Sequence, residues 1–127
     1  MIENFDSTFL FLVCLIGCVL TPGFYSYKLW EAKSLFKRYN VDDSATQFTR
    51  FAAAWPMAES ITAILILYFG PEGNWAFFIL GFIVFVANLI YNIGAYFNIA
   101  FTLGRDKYTV SPEAVIASIF KVSVYTI

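Results

Sequence analysis

The sequence contains no histidine, few charges and only two cysteines among its 127 residues. Without histidine, the usual general base near neutral pH and the commonest metal ligand are both missing. No metal or nucleotide motif takes their place. Charged residues make up 13% of the chain and the net charge is −1. This excludes the concentrated basic face that phosphate binding requires, so no nucleic-acid partner is expected. Cys14 and Cys18 lie four apart in an apolar stretch and therefore share a helix face. They read as small packing residues rather than as a disulfide or a metal pair. Internal repeats and low-complexity linkers are absent as well.

Apolar residues are abundant. They reach 60%, where a soluble domain carries ~45–50%, and a chain this short has too much surface to hide them from water. Lipid as the solvent resolves the conflict. A spanning helix needs ~20 mostly apolar residues, and the pattern predicts an all-α bundle of four transmembrane helices in a single domain over 1–127. The helices fall at about 8–38, 51–69, 75–103 and 112–127. The first spans at 8–27 and continues beyond the membrane with apolar residues at helical spacing. Its amino end carries Glu3 and Asp6 and no lysine or arginine, the wrong flank for a signal peptide.

Turns punctuate the spans. Asn40 to Ser44 form one, and Gly70-Pro71-Glu72-Gly73-Asn74 form a stronger one. Gly104-Arg105-Asp106-Lys107 ends the third helix. Ser111-Pro112-Glu113 opens the fourth, with serine as N-cap, proline at the first helical position and glutamate at the positive end of the dipole. Pro22 and Pro56 are positions where a helix kinks. Lysine and arginine set the orientation. Lys28, Lys33, Lys37, Arg38 and Arg50 occupy the first loop, and Arg105 and Lys107 the third. Both loops are expected on the cytoplasmic side and both termini on the opposite one, giving an integral, multi-pass membrane protein.

Polar side chains within the spans are candidates for function, because each costs free energy unless it finds a partner. Counted in turns from the basic side, Glu59 and Lys121 fall at one depth, with Asn92 near that level. Asn88 is four residues from Asn92 on the same face, and Tyr91 adjoins them. Glu59, Asn88, Tyr91, Asn92 and Lys121 therefore form a candidate intramembrane cluster, either structural glue between helices or a site that binds. Small residues mark faces of close helix approach: Cys14, Gly17 and Cys18 on the first helix, Gly81 on the third, Ala114 and Ser118 on the fourth. Tyr25, Tyr27, Trp30, Tyr68 and Trp75 fall near the expected interfaces, where amphipathic rings settle without a ligand.

The stretch Asn88-Leu89-Ile90-Tyr91-Asn92-Ile93-Gly94-Ala95-Tyr96 resembles the third-helix signature of the MAPEG family, the membrane-associated proteins of eicosanoid and glutathione metabolism. That signature runs arginine, two residues, tyrosine, two residues, glycine, then a nearby tyrosine. Tyr91, Gly94 and Tyr96 match, and Asn88 stands in the arginine's place. The resemblance implies a four-helix bundle with a large cytoplasmic first loop. It also implies Glu59 as the second-helix carboxylate, glutathione as cofactor, and Arg38, Arg50, Glu59 and Tyr91 as its contacts.

Three functions follow as expectations. The first is a non-catalytic accessory or structural subunit of a membrane complex, without cofactor, packed against lipid and against other membrane subunits or copies of itself. The second is a MAPEG-like enzyme using glutathione on a lipophilic substrate. The third is a small transporter built on an intramembrane Glu59/Lys121 pair.

Overall fold

The computed structural model describes residues 1–99 and 111–126, and every regular element among them is helical. Ser7 starts the first helix by accepting the Leu10 N–H at 3.2 Å, which satisfies one of the free amides of a helix start. The helix, α1 (Thr8–Glu31), is followed by the short α2 (Lys33–Tyr39). A 3₁₀ turn over Asp43–Ala45 then runs into α3 (Thr46–Phe69). After it come α4 (Trp75–Phe97) and α5 (Pro112–Thr126). Three helices, α1, α3 and α4, are long and apolar enough to cross a membrane. At ~1.5 Å per residue each reaches ~35 Å, against ~30 Å of hydrocarbon. α5 has 15 residues, or ~22 Å at the same rise.

Several boundaries differ from the sequence expectation. The helix expected over 8–38 is broken at Ala32, which adopts φ 59° and ψ −45°. The break turns the chain so that Ala32 and Phe36 are buried while Lys37 and Arg38 stay exposed. The second long helix starts at Thr46 rather than 51, because Asp42 and the 3₁₀ turn already supply a start: its carboxylate accepts the Ser44 N–H at 2.8 Å. The third ends at Phe97, where Asn98 takes the left-handed conformation (φ 59°, ψ 47°) that closes helices. The expected continuation to Leu103, the turn at Gly104 to Lys107 and the terminal Ile127 lie outside the described residues. The glycine turn stands where expected, with Gly70 at φ 96° and Gly73 at φ 77°. Asn4 reaches over it and donates to the Tyr68 carbonyl at 2.6 Å, one of the acceptors a helix end leaves free.

Within α1, residues Cys14–Leu20 wind as a π-helix, with bonds from residue i to i−5. Thr21 N–H accordingly donates to the Ile16 carbonyl. The next bond in that register would run from residue 22 to the Gly17 carbonyl, but residue 22 is proline and has no N–H. The Gly17 carbonyl is left open by the chain's own covalent structure.

α1 packs along α3, and α4 packs along α5. The π-helical stretch of α1 also meets α5, and this joins the two pairs, whereas α3 and α4 make little direct contact. Cys14, Cys18, Val19, Ala63, Ile66, Leu67 and Tyr125 form the core where α1, α3 and α5 converge. Glycines allow that convergence: a Cβ on Gly17 would lie 2.6 Å from Val124, and one on Gly81 would run into the Tyr125 ring.

Candidate functional site

The polar centre of the bundle is assembled on α5. Lys121 and Tyr125 are four residues apart and thus on one face, and both are buried. Lys121 Nζ lies 2.5 Å from Glu59 Oε1 on α3 and donates to the Gly17 carbonyl on α1 at 2.7 Å. It also sits 4.6 Å from the centroid of the Phe85 ring on α4, within the range of a cation–π contact. An ammonium has three donors and no acceptor. The carboxylate, the orphaned carbonyl and the aromatic face account for all three. Tyr125 Oη donates to Glu59 Oε1 at 2.6 Å, and its ring stacks on Phe85 at 5.4 Å. Every long helix therefore contributes to holding this one ammonium.

Glu59 and Lys121 are 8% and 6% exposed, so the pair is desolvated, and its two charges cancel. The pair leaves one valence open. Glu59 Oε2 is buried and has no hydrogen-bond partner among the described residues. A buried polar atom without a partner costs about 1–3 kcal/mol, more when charged, so this oxygen marks the place where the arrangement is incomplete.

Glu59 lines a cleft of about 180 Å³ between α3 and α4. Trp55, Ala58 and Thr62 form one wall, and Phe77, Leu80, Gly81 and Phe85 the other, with Tyr125 also lining it. A second hollow, of about 300 Å³, lies between α1 and α3 and includes Ser26 and Ser60. Both hydroxyls there are occupied: Ser26 donates to the Ala53 carbonyl and Ser60 to that of Val19, each at 2.9 Å. Among the described residues, no three histidine, cysteine, aspartate or glutamate side chains gather to hold a metal ion.

The residues singled out from sequence are distributed as follows. Glu59 and Lys121 meet directly. Asn92 joins α4 to α5 one turn away, donating to Ser118 Oγ at 2.8 Å and to the Ala114 carbonyl at 3.4 Å. Asn88 is exposed and has no partner among the described residues. Tyr91 is 46% exposed. Cys14, Gly17, Cys18, Gly81 and Ser118 are buried, Ala114 is half-buried, and both cysteines are free thiols. The residues that the family resemblance would bring to glutathione have separate partners. Arg38 pairs with Glu113, the Arg50 guanidinium lies 5.9 Å from the Trp30 ring centroid, and Glu59 is held by Lys121 and Tyr125. Sequence reasoning missed Tyr125, Phe85 and the Gly17 carbonyl. Tyr125 had a readable signal, four residues beyond Lys121. The carbonyl had none, because it depends on the π register.

Comparisons with models of known families, with curated proteins and with solved structures give no match. The functional reading therefore rests on the geometry of an all-helical chain with a desolvated ion pair at its centre.

Proposed function

We propose that this chain is a multi-pass membrane protein of four crossing helices, both termini on the non-cytoplasmic side, that serves as a non-catalytic accessory subunit of a larger membrane assembly. The state of α4 carries this reading. Only 6% of its most apolar 18-residue stretch is buried, against 28% and 33% for α1 and α3. Asn88 sits within that helix, exposed and without a partner among the described residues. Apolar side chains facing lipid need no cover, but an amide in hydrocarbon does. A helix from another subunit, or from a second copy, supplies the missing hydrogen bond and covers the surface. Such bonds are modest, ~0.6 kcal/mol on average in one measured protein, so packing across the whole face carries the association. The ion pair then acts as internal glue that fixes how four short-contact helices are arranged.

The test is purification of the tagged chain from its own membrane in a mild detergent, with stoichiometry by mass spectrometry. A fixed integral-membrane partner, cross-linked to a cysteine placed at Asn88, is expected. A lone, monodisperse chain that yields no such cross-link would overturn the proposal.

A second reading rests on the spacing of Tyr91, Gly94 and Tyr96 and on the exposure of Tyr91: a MAPEG-like enzyme with glutathione near Tyr91, Arg38 and Arg50. Titration calorimetry separates the two. Heat of binding at millimolar glutathione supports the enzyme, and its absence removes it.

A further inference from the structure

We infer that the cleft between α3 and α4 is a binding site for a neutral, long-chain lipid bearing a hydroxyl, whose O–H donates to Glu59 Oε2. The inference stands on the cleft itself and does not depend on what covers the outer face of α4.

Three observations select the ligand. The first is the acceptor. Oε2 is the one buried side-chain nitrogen or oxygen without a hydrogen bond among the described residues, and Glu59 is more than nine-tenths buried while lining the cleft. A carboxylate oxygen accepts and does not donate, so the missing group is a donor. The second is charge. Lys121 already neutralises Glu59 at 2.5 Å. An ammonium ligand would leave one positive charge uncompensated in a low-dielectric site, and an acid would face the carboxylate with its own negative charge. A neutral donor does neither. The third is shape. The walls are apolar apart from Glu59, Thr62, the Trp55 indole N–H and the Tyr125 hydroxyl, which is already committed to Oε1. About 180 Å³ exceeds the ~150 Å³ that holds a benzene but falls short of the ~300 Å³ at which whole-ligand pockets begin. The head end of a lipid fits inside while its chain leaves through the open side.

The oxygen has less than 1 Å² of accessible surface, so entry requires the cleft to widen. Its walls permit that. α3 and α4 make little direct contact, and moving them apart breaks few interactions. Glu59 on α3 keeps Lys121 when α4 alone gives way, and what the opening costs is the contact between the Phe85 ring and the ammonium. Gly81 keeps the floor of the cleft flush with Tyr125, because any side chain there would collide with the ring.

The experiment uses the intact protein, in its native assembly, reconstituted in lipid nanodiscs. Hexadecanol with a mid-chain diazirine is the probe. Hexadecanoic acid and hexadecylamine with the same diazirine serve as comparisons. After photolysis, labelled peptides are mapped by mass spectrometry. The alcohol should label residues 55–62 and 77–85 about tenfold more than the acid or the amine, the preference expected of one hydrogen bond to a charged acceptor. Excess unlabelled hexadecanol should abolish that labelling. Ala58→Phe, which fills the cleft from an exposed wall position and leaves both charged residues unaltered, should reduce it to the level of the outer helix faces. Equal labelling by the three probes, or label spread evenly over α4, means ordinary annular lipid only and overturns the inference. Absence of cleft labelling overturns it as well, since a water molecule would then satisfy Oε2. Should Ala58→Phe fail to fold, the probe ranking and the competition on the unaltered protein decide alone.

Discussion

At the scale of single residues, the stability of this chain turns on whether buried charges stay paired. Removing one partner of a desolvated pair strands the other, and the loss is about 3–5 kcal/mol, larger than the net worth of the pair itself. Lys121→Met leaves the Glu59 carboxylate with the Tyr125 hydroxyl alone, and it also reopens the Gly17 carbonyl. Unfolding in mixed micelles should shift by an amount of that order. Adding Glu59→Gln to the same chain should recover most of the loss, because no charge is then left buried. A double variant no better than the single one would show that the pair is not what the bundle depends on. Gly81 offers an independent probe. Its missing side chain makes room for the Tyr125 ring, and forcing a methyl into a packed core costs about 1–3 kcal/mol. Gly81→Ala should therefore destabilise and also move the tyrosine hydroxyl off Glu59. Gly73→Ala makes a useful control. Its Cβ meets nothing within 4 Å and only its φ of 77° resists the change, a penalty of about 1–2 kcal/mol. If both glycine changes lowered stability equally with the tyrosine unmoved, close packing at Gly81 would not be the reason for that glycine.

At the scale of elements, local signals decide where helices begin, and packing decides how they continue. Ser111 before Pro112 and Glu113 is readable because capping chemistry is local, and its hydroxyl does accept the Glu113 N–H at 3.2 Å. The turn at Gly70 to Asn74 is readable for the same reason. Asp42 is a further cap. Its hydrogen bonds from Ser44 hold its carboxyl below the usual aspartate range. The folded form thus binds its proton less tightly than the unfolded chain does. The contribution is present above the ordinary pKa of ~3.9 and is lost as pH falls through the depressed value. Amide exchange over residues 43–49 should accelerate as pH is lowered through that window, beyond the intrinsic dependence. Asp42→Asn, which keeps an acceptor without a titrating proton, should remove the excess. An unchanged profile would refute the assignment. Other features were not legible. Alanine carries no signal for a positive φ, so nothing at position 32 announces the break, which goes together with the burial of Ala32 and Phe36. The π stretch is likewise silent in sequence: Pro22 marks a missing donor, but only the i−5 register says that the missing bond belongs to Gly17. Counting turns puts Glu59 and Lys121 at one depth with Asn92 near it, and Asn88 joins them only as a residue of the same face as Asn92, although its side chain is exposed. Depth is a one-dimensional coordinate, and the rotation of each helix about its axis is settled by neighbours the count does not contain.

At the scale of the whole molecule, the question is how many times the chain crosses the membrane, and α5 decides it. Its described 15 residues give ~22 Å, short of ~30 Å of hydrocarbon. Length alone would favour three crossings, with α5 resting on the basic side. The proposed fourth crossing draws its support from the contacts. Arg38 pairs with Glu113 at the start of α5, which ties that end to the basic first loop. From there α5 runs inward, with Ser118 against Asn92, Lys121 against Glu59, and Val124 and Tyr125 against Gly17 and Gly81. Glu59 is ten residues from the end of α3 at Phe69, and Phe85 is ten residues into α4 from Trp75, so both lie near mid-depth. Under the proposed four crossings, a helix that begins at the basic surface and reaches mid-depth by Lys121 continues toward the far side. Single cysteines at Ser44, Glu72 and Thr126, with Cys14 and Cys18 replaced, and a membrane-impermeant maleimide test this directly. Ser44→Cys should react only from the cytoplasmic face, and Glu72→Cys only from the opposite one. Four crossings require Thr126→Cys to behave as Glu72→Cys does. Reaction of Thr126→Cys together with Ser44→Cys would mean three crossings, and the ion pair would then fasten a re-entrant helix rather than a spanning one.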